Sequence, residues 1–117
     1  MPPTKNDYLI RTPVHRTLTQ AEAQRLRRDT RAAHLAYARP LIDAGVLVWG
    51  GPSLARHLAD GEEEEVTGSV MCVRTESAEE VRRLVAGDPF AECGLWDVGG
   101  AVVVAMRCVV GGGCGCG

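Results

Sequence analysis

The chain has 117 residues and a formal net charge of −2 at pH 7, so it is long enough for one domain and lacks the basic surface of a nucleic-acid-binding domain. Its hydrophobic fraction of 45% is ordinary for a globular protein, which excludes wholesale disorder. The longest apolar run, residues 101–106, is far shorter than the ~20 residues of a membrane helix, and the first residues lack the apolar segment of a secretion signal, so we expect a cytoplasmic protein.

The first elements in chain order are a strand and a long helix. Residues 8–12 form a short β-branched and aromatic run that ends at Pro13, which is typical of a strand. Thr19 and Glu22 have the spacing of a capping box, in which each residue binds the other's backbone N–H. The apolar spacing that follows predicts a helix to about residue 44, ended by Gly45.

The rest of the chain predicts three further strands and a second helix. Residues 46–49 are a strand that the turn residues 50–53 should stop, and residues 54–65 are a loop whose glutamates 62–65 form a solvated edge. Residues 66–75 form the third strand. Ser77 and Glu80 are a second capping box that begins a helix ending at Gly87, and a last strand runs from about residue 96 to residue 109.

The order β-α-β-β-α-β predicts an α+β fold of the ferredoxin-like type, an antiparallel sheet with two helices on one face. A sheet covered on one face only should alternate apolar and polar residues. Residues 101–106 and 70–73 are instead apolar at nearly every position. The sheet of a second copy is the simplest cover for the other face, so we expect a homodimer that forms a dimeric α+β barrel.

His34 and Asp88 are the candidate catalytic residues. His34 lies beside the apolar face predicted for the first helix, whose members are Leu26, Ala33, Tyr37, Leu41 and Ala44. Asp88 follows the second helix. Because both helices pack on one face of the sheet, the carboxylate can meet the imidazole, accept its Nδ1 proton and leave Nε2 as a base. The alternatives are a hydrogen-bonded core histidine and an aspartate that only organises a turn.

Five further residues are candidates for binding a substrate. Arg11 on the first strand and Ser53 after the second could bind an anionic or hydroxyl group, although both residue types are common at surfaces and turns. Tyr37, Trp49 and Phe90 are the candidate pocket walls. Since the three histidines have no matched spacing, they predict no metal site, and His15 and His57 are expected to be solvated. We expect no cofactor.

Three motifs carry a resemblance to a known family. They are Arg31-Ala-Ala-His34-Leu-Ala-Tyr37, the strand end Gly50-Gly51-Pro52, and Asp88-Pro89-Phe90-x-x-x-Gly94-Leu95. In this order and spacing they resemble the YCII-related (YciI-like) family across residues 8–108. The chain departs from that pattern at Pro40, at the glutamates 62–65 and in its cysteine-containing end.

The resemblance implies a dimeric α+β barrel related in shape to muconolactone isomerases. It also implies a pocket with a histidine–aspartate pair, which matches His34 and Asp88. Characterised relatives include an enzyme that eliminates chloride from a hydroxylated aromatic ring. The implied function is a small cofactor-independent enzyme, an isomerase or a lyase, that transfers protons on a small cyclic or aromatic metabolite. The alternative is a non-catalytic dimeric module that binds a small ligand or serves a pathway as an accessory protein.

The end of the chain is rich in glycine and cysteine. We expect one domain over residues 1–110 and a flexible tail over residues 111–117, which contains Cys114 and Cys116 between glycines. A metal or thiol carrier with Cys108 as a third ligand is the other interpretation of these cysteines.

Overall fold

In a computed structural model, which describes residues 5–111, four strands and three α-helices form a split βαβ arrangement. The elements are β1 (Asn6–Pro13), α1 (Gln20–Asp43), β2 (Leu47–Leu54), β3 (Val66–Thr75), α2 (Ala78–Ala86), α3 (Pro89–Glu92), a 3₁₀ turn (Val98–Gly100) and β4 (Val102–Met106). The sheet is antiparallel with the strand order β2-β3-β1-β4. This confirms the predicted ferredoxin-like α+β fold.

Helix α1 begins and ends where its sequence predicts. The Thr19 side chain accepts a hydrogen bond from the Glu22 N–H, and the Glu22 carboxylate accepts one from the Thr19 N–H, which completes the capping box. After the helix, Gly45 has a φ of 76°, a left-handed conformation that favours glycine. The helix continues through Pro40. No helix within residues 5–111 is both long and apolar enough to cross a membrane.

The inward face of α1 matches the predicted one at Leu26, Tyr37 and Leu41, which are half-buried, and differs from it at the alanines. Ala33 and Ala44 are exposed, whereas Ala38 is buried. His34 is half-buried beside this face.

Strand β2 is longer than predicted, because residues 50–53 continue the strand instead of stopping it. Gly50, Gly51 and Pro52 pair with Met71, Val70 and Ser69 of β3. β2 lies at the edge of the sheet, where a proline without an N–H can be accommodated. The run Gly-Gly-Pro therefore shapes a sheet edge and is not a turn.

The last predicted strand is also corrected. Trp96 pairs with Val14 in an isolated β-bridge, and the 3₁₀ turn follows it. Strand β4 therefore contains only residues 102–106. The glycines at 99 and 100 explain the break, since Asp97 accepts a hydrogen bond from the Gly100 N–H and holds the turn. Of the predicted tail, only Gly111 belongs to the described residues, and Cys114 and Cys116 lie outside them.

The two faces of the sheet differ in their cover. The core lies on the helix-bearing face, where Ile10, Met71 and Val73 pack with Val81 and Val85 of α2. Alternate residues point to the opposite face. There, Val102 and Val104 remain 52% and 46% exposed.

An ion pair between β1 and β3 stabilises one end of the sheet. Asp7 of β1 lies opposite Arg74 of β3, and its carboxylate accepts hydrogen bonds from Arg74 Nε at 2.7 Å and from the Cys108 N–H at 2.9 Å. These bonds, first of all the one from Arg74, lower the pKa of the buried Asp7 carboxyl. Asp7 thus connects β1, β3 and the segment after β4.

Replacing Asp7 with asparagine is expected to lower the free energy of unfolding at pH 7 by about 2 kcal/mol, because a charged partner of Arg74 is lost. Since the pKa of Asp7 is lower in the folded state, its contribution is complete above the unfolded-state pKa of about 3.9 and disappears as the pH falls through the folded-state pKa. Urea unfolding at stepped pH should show the two proteins converging in acid. The exposed Asp60→Asn is the control, and an equal effect of both variants would contradict the assignment.

Candidate active site

His34 and Asp88 meet as the spacing predicted. The His34 Nδ1 lies 2.9 Å from both carboxylate oxygens of Asp88, although the two residues are 54 positions apart in the chain. The Asp88 residue is 5% exposed, and the His34 side chain is 21% exposed. A buried carboxylate therefore faces an imidazole that keeps part of its surface accessible.

Asp88 is held in place by the start of α3. It is the N-cap of this helix, and its Oδ1 accepts a hydrogen bond from the Phe90 N–H at 2.9 Å. Pro89 occupies the first helical position, where its missing N–H leaves no donor unsatisfied. An ionised carboxylate accepts hydrogen bonds and cannot donate them. This arrangement predicts a neutral imidazole with its proton on Nδ1 and a free electron pair on Nε2.

Two aromatic rings fix the plane of the imidazole. Phe90 stacks on His34 with ring centroids 4.2 Å apart and an interplanar angle of 16°. Trp96 makes T-shaped contacts with both rings, and its ring centroid lies 5.8 Å from that of His34 and 5.5 Å from that of Phe90. Gly94 has a φ of 87°, and the turn there lets the Trp96 N–H bond to the Phe90 carbonyl. The residues between 88 and 96 thus form one compact unit around His34.

A cavity of about 420 Å³ opens beside the imidazole, between α1 and the edge strand β2. Its volume is within the range of small-molecule sites. His34, Phe90, Trp96 and Trp49 are among its lining residues. Asp88 does not line this cavity but a separate one of about 30 Å³, which His34 also borders. The imidazole therefore stands between its carboxylate partner and the larger cavity.

Tyr37 has a different place from the predicted pocket wall. It borders the small cavity with Asp88 and not the larger one, and its hydroxyl donates a hydrogen bond to the Leu84 carbonyl at 2.7 Å. Burial, with a further contribution from the Asp88 charge, raises the pKa of the Tyr37 phenol. The hydroxyl stays protonated and joins α1 to α2 behind the site.

Arg11 and Ser53, the predicted substrate-binding residues, do not line the cavity. Arg11 is exposed and alternates with the buried Ile10, so it points to the sheet face opposite the helices. The Ser53 hydroxyl bonds to the Thr67 hydroxyl at 2.9 Å. Neither residue borders the cavity in the described chain, because strand position alone does not tell which sheet face borders the site.

The cavity has further lining residues that the sequence did not predict, among them Trp96, Arg27 and Arg31. Trp96 was assigned to the last strand, although the turn at Gly94 brings it back to Phe90. The arginines precede His34 by seven and three positions, which places all three on one side of a helix. This spacing was the signal that could have identified them.

The remaining histidines and the acidic residues form no second centre. His57 is exposed, and His15 lies half-buried in an outer groove away from His34. Within residues 5–111, no group of three His, Cys, Asp or Glu side chains is arranged to hold a metal ion.

Comparison with known proteins relates this site to one family. The model of the YCII-related domain matches residues 13–100, which include α1, the edge strand β2 and the segment with Asp88. Among curated proteins, the "Derivative of benzaldehyde biosynthesis cluster protein C" of Emericella nidulans is 51% identical over 89 residues, 75% of this chain and 86% of the relative. The "Xenovulene A biosynthesis cluster protein asL2" of Sarocladium schorii is 29% identical and covers 83% of this chain and 84% of its own length.

A solved structure has the same fold. The 5-chloro-2-hydroxyhydroquinone dehydrochlorinase TftG from Burkholderia phenoliruptrix, in complex with 2,5-dihydroxybenzoquinone, matches with a TM-score of 0.68 and 30% sequence identity. The match covers 86% of this chain and 93% of that protein.

Proposed function

The chain belongs to the YCII-related family, and from this premise we propose that it is a small enzyme that transfers protons on a cyclic or aromatic metabolite, as an isomerase or a lyase. The observation that carries the proposal is the His34 imidazole, bonded through Nδ1 to the buried Asp88 and bordering a cavity of about 420 Å³. No cofactor enters this proposal.

The reaction follows from the free electron pair on Nε2. Nε2 removes a proton from a hydroxyl group or from a carbon beside a carbonyl, and the Asp88 carboxylate stabilises the imidazolium that forms. In an isomerisation the proton returns to another atom of the same substrate. In an elimination, the electron pair that the removed proton leaves behind expels a leaving group from the ring. The His34 imidazolium then releases its proton to the solvent.

The cavity walls favour a flat, unsaturated substrate. Phe90 and Trp96 border the cavity beside His34, and Trp49, which is 38% exposed, borders it as well; rings of this kind pack well against a planar ligand. The names of two relatives fit this choice, since one belongs to a benzaldehyde-derivative cluster and TftG is complexed with a quinone. We therefore place hydroxylated aromatic compounds and quinones first among the substrate classes.

We also propose that the protein is a homodimer. Val102 and Val104 are about half exposed on the sheet face that bears no helix, and both are apolar. A second copy of the same sheet would cover them and complete the barrel that the family fold forms. The cytoplasmic location remains a prediction.

Proton transfer can be tested with probes of the proposed class. The protein is incubated in D₂O with 5-chloro-2-hydroxyhydroquinone and with a panel of hydroxybenzaldehydes and hydroxyquinones. A chloride assay measures chloride release, and NMR measures deuterium uptake. We expect acceleration over buffer for at least one probe, and none with His34→Asn. Binding of the probes without acceleration of any of them would contradict the enzyme and favour the ligand-binding module.

A further inference from the structure

Two arginines share the cavity with His34. Arg27 and Arg31 both line it, and they lie on the same side of α1 as the histidine. From the rise of an α-helix, their Cα atoms precede that of His34 by about 10.5 and 4.5 Å along the helix axis. Side chains as long as arginine can therefore hold one end of a ligand whose other end touches the imidazole.

Neither arginine has an acidic partner within residues 5–111. Arg56, Arg74 and Arg83 form ion pairs with carboxylates, but no ion pair or hydrogen bond involves the side chains of Arg27 and Arg31. Like charges four positions apart weaken a helix slightly. Other arginines of the described residues also lack an ion pair, but Arg27 and Arg31 are the ones that border the His34 cavity. Two adjacent guanidinium groups at that cavity point to a ligand that supplies the negative charge.

The acidic residues that share a groove with the arginines do not serve as that partner. Glu63, Glu64 and Glu65 border an outer groove of about 600 Å³ that both arginines also border, but these carboxylates make no ion pair with them. The arginines thus lie where the outer groove meets the His34 cavity. The three glutamates repel a dianion more than a monoanion, which favours a carboxylate over a phosphate at this position.

We propose that Arg27 and Arg31 bind a carboxylate of the substrate, so that the substrate is an aromatic or cyclic hydroxy acid whose ring lies against Phe90 and His34. The position of the substrate ring at His34 rests on the proposed function. The preference of the two arginines for a carboxylate can be measured by binding alone, without turnover. A planar guanidinium donates two parallel hydrogen bonds to a carboxylate, which fixes orientation as well as affinity. The arginines are positioning groups for the proton transfer at His34 Nε2.

Titration calorimetry with matched probes tests this proposal. The probes are 2,5-dihydroxybenzoate, the neutral 2,5-dihydroxybenzaldehyde and 4-hydroxyphenyl phosphate. We expect the wild type to bind the benzoate at least about tenfold more tightly than the aldehyde, the gain of a charge-assisted hydrogen bond. Arg27→Gln with Arg31→Gln should bring the ratio close to one. Arg39→Gln is the matched control, because Arg39 is exposed on the same helix and borders neither groove.

The outcomes separate this proposal from the proposed function. Equal affinity for benzoate and aldehyde, tighter binding of the phosphate, no binding of the benzoate, or an equal effect of the Arg39 control would each overturn the carboxylate site. His34→Asn should retain the preference for benzoate while it abolishes proton transfer. Retained preference together with unchanged turnover in His34→Asn would sustain the carboxylate site and contradict His34 as the base.

Discussion

Replacement of His34 with alanine is expected to lower kcat/KM by about 10²-fold or more in the proton-transfer assay, because the reacting electron pair on Nε2 is removed. The protein should stay folded, since His34 is part of the site and not of the apolar core. The circular dichroism spectrum and the urea midpoint give the check on folding. His57→Ala, at an exposed histidine, is the matched control and should leave the rate unchanged.

Asp88→Asn should cost less than His34→Ala, because it misorients the imidazole without removing it. The amide can still accept the hydrogen bond from the Phe90 N–H, so the start of α3 is preserved. Comparison of the two rate losses separates the base from the residue that positions it. A histidine that only stabilises the fold would lower the urea midpoint of the His34 variant with no separate loss of rate, and that result would remove the enzyme proposal.

Val104→Asp is expected to dissociate the proposed dimer. The side chain is 46% exposed on the helix-free face, and a second sheet would bury the introduced carboxylate. Burying an unpaired charge costs several kcal/mol, which corresponds to about 10²- to 10³-fold weaker association. Sedimentation equilibrium should give twice the 12.5 kDa chain mass for the wild type and the single mass for the variant.

A second substitution keeps the dimer test independent of misfolding. Val102 is 52% exposed on the same face, and Val102→Ser should weaken association with little loss of folded structure. Ala55→Asp adds the same charge in an exposed loop and should leave the mass unchanged. A wild-type protein that sediments as a stable monomer at micromolar concentration would refute the dimer.

The topology and the histidine–aspartate pair could be predicted because local signals carry them. The residues after Thr19 and Ser77 begin helices, and both side chains accept the backbone hydrogen bond that the spacing indicates. The reciprocal bond of the capping box forms at Thr19 but not at Ser77, because the Glu80 carboxylate pairs with Arg83. Because both helices pack on one face of the sheet, the fold brings His34 and Asp88 close together. The fold therefore follows from signals that are each a few residues long.

What could not be predicted depends on the tertiary arrangement. Pro52 signals a turn in sequence, but at the edge of a sheet it is compatible with a strand, so of the cavity wall formed by β2 only Trp49 was predicted and residues 50–52 were not. Arg11 was assigned to the site because no local signal tells which sheet face the helices cover. Arg27 and Arg31 were overlooked because a solvated arginine and a ligand-binding one have the same local sequence signature.

The central claim is that Asp88 fixes the His34 imidazole so that Nε2 is available as a base. A two-bond ¹⁵N–¹H correlation spectrum of the full chain, assigned with His34→Asn, measures the proton position directly. We predict that neutral His34 carries its proton on Nδ1, and that Asp88→Asn removes this preference. 2,5-Dihydroxybenzoquinone should shift the Nε2 resonance when it binds. A neutral His34 with its proton on Nε2, or an Nε2 signal that the quinone leaves unchanged at saturation, would contradict the account.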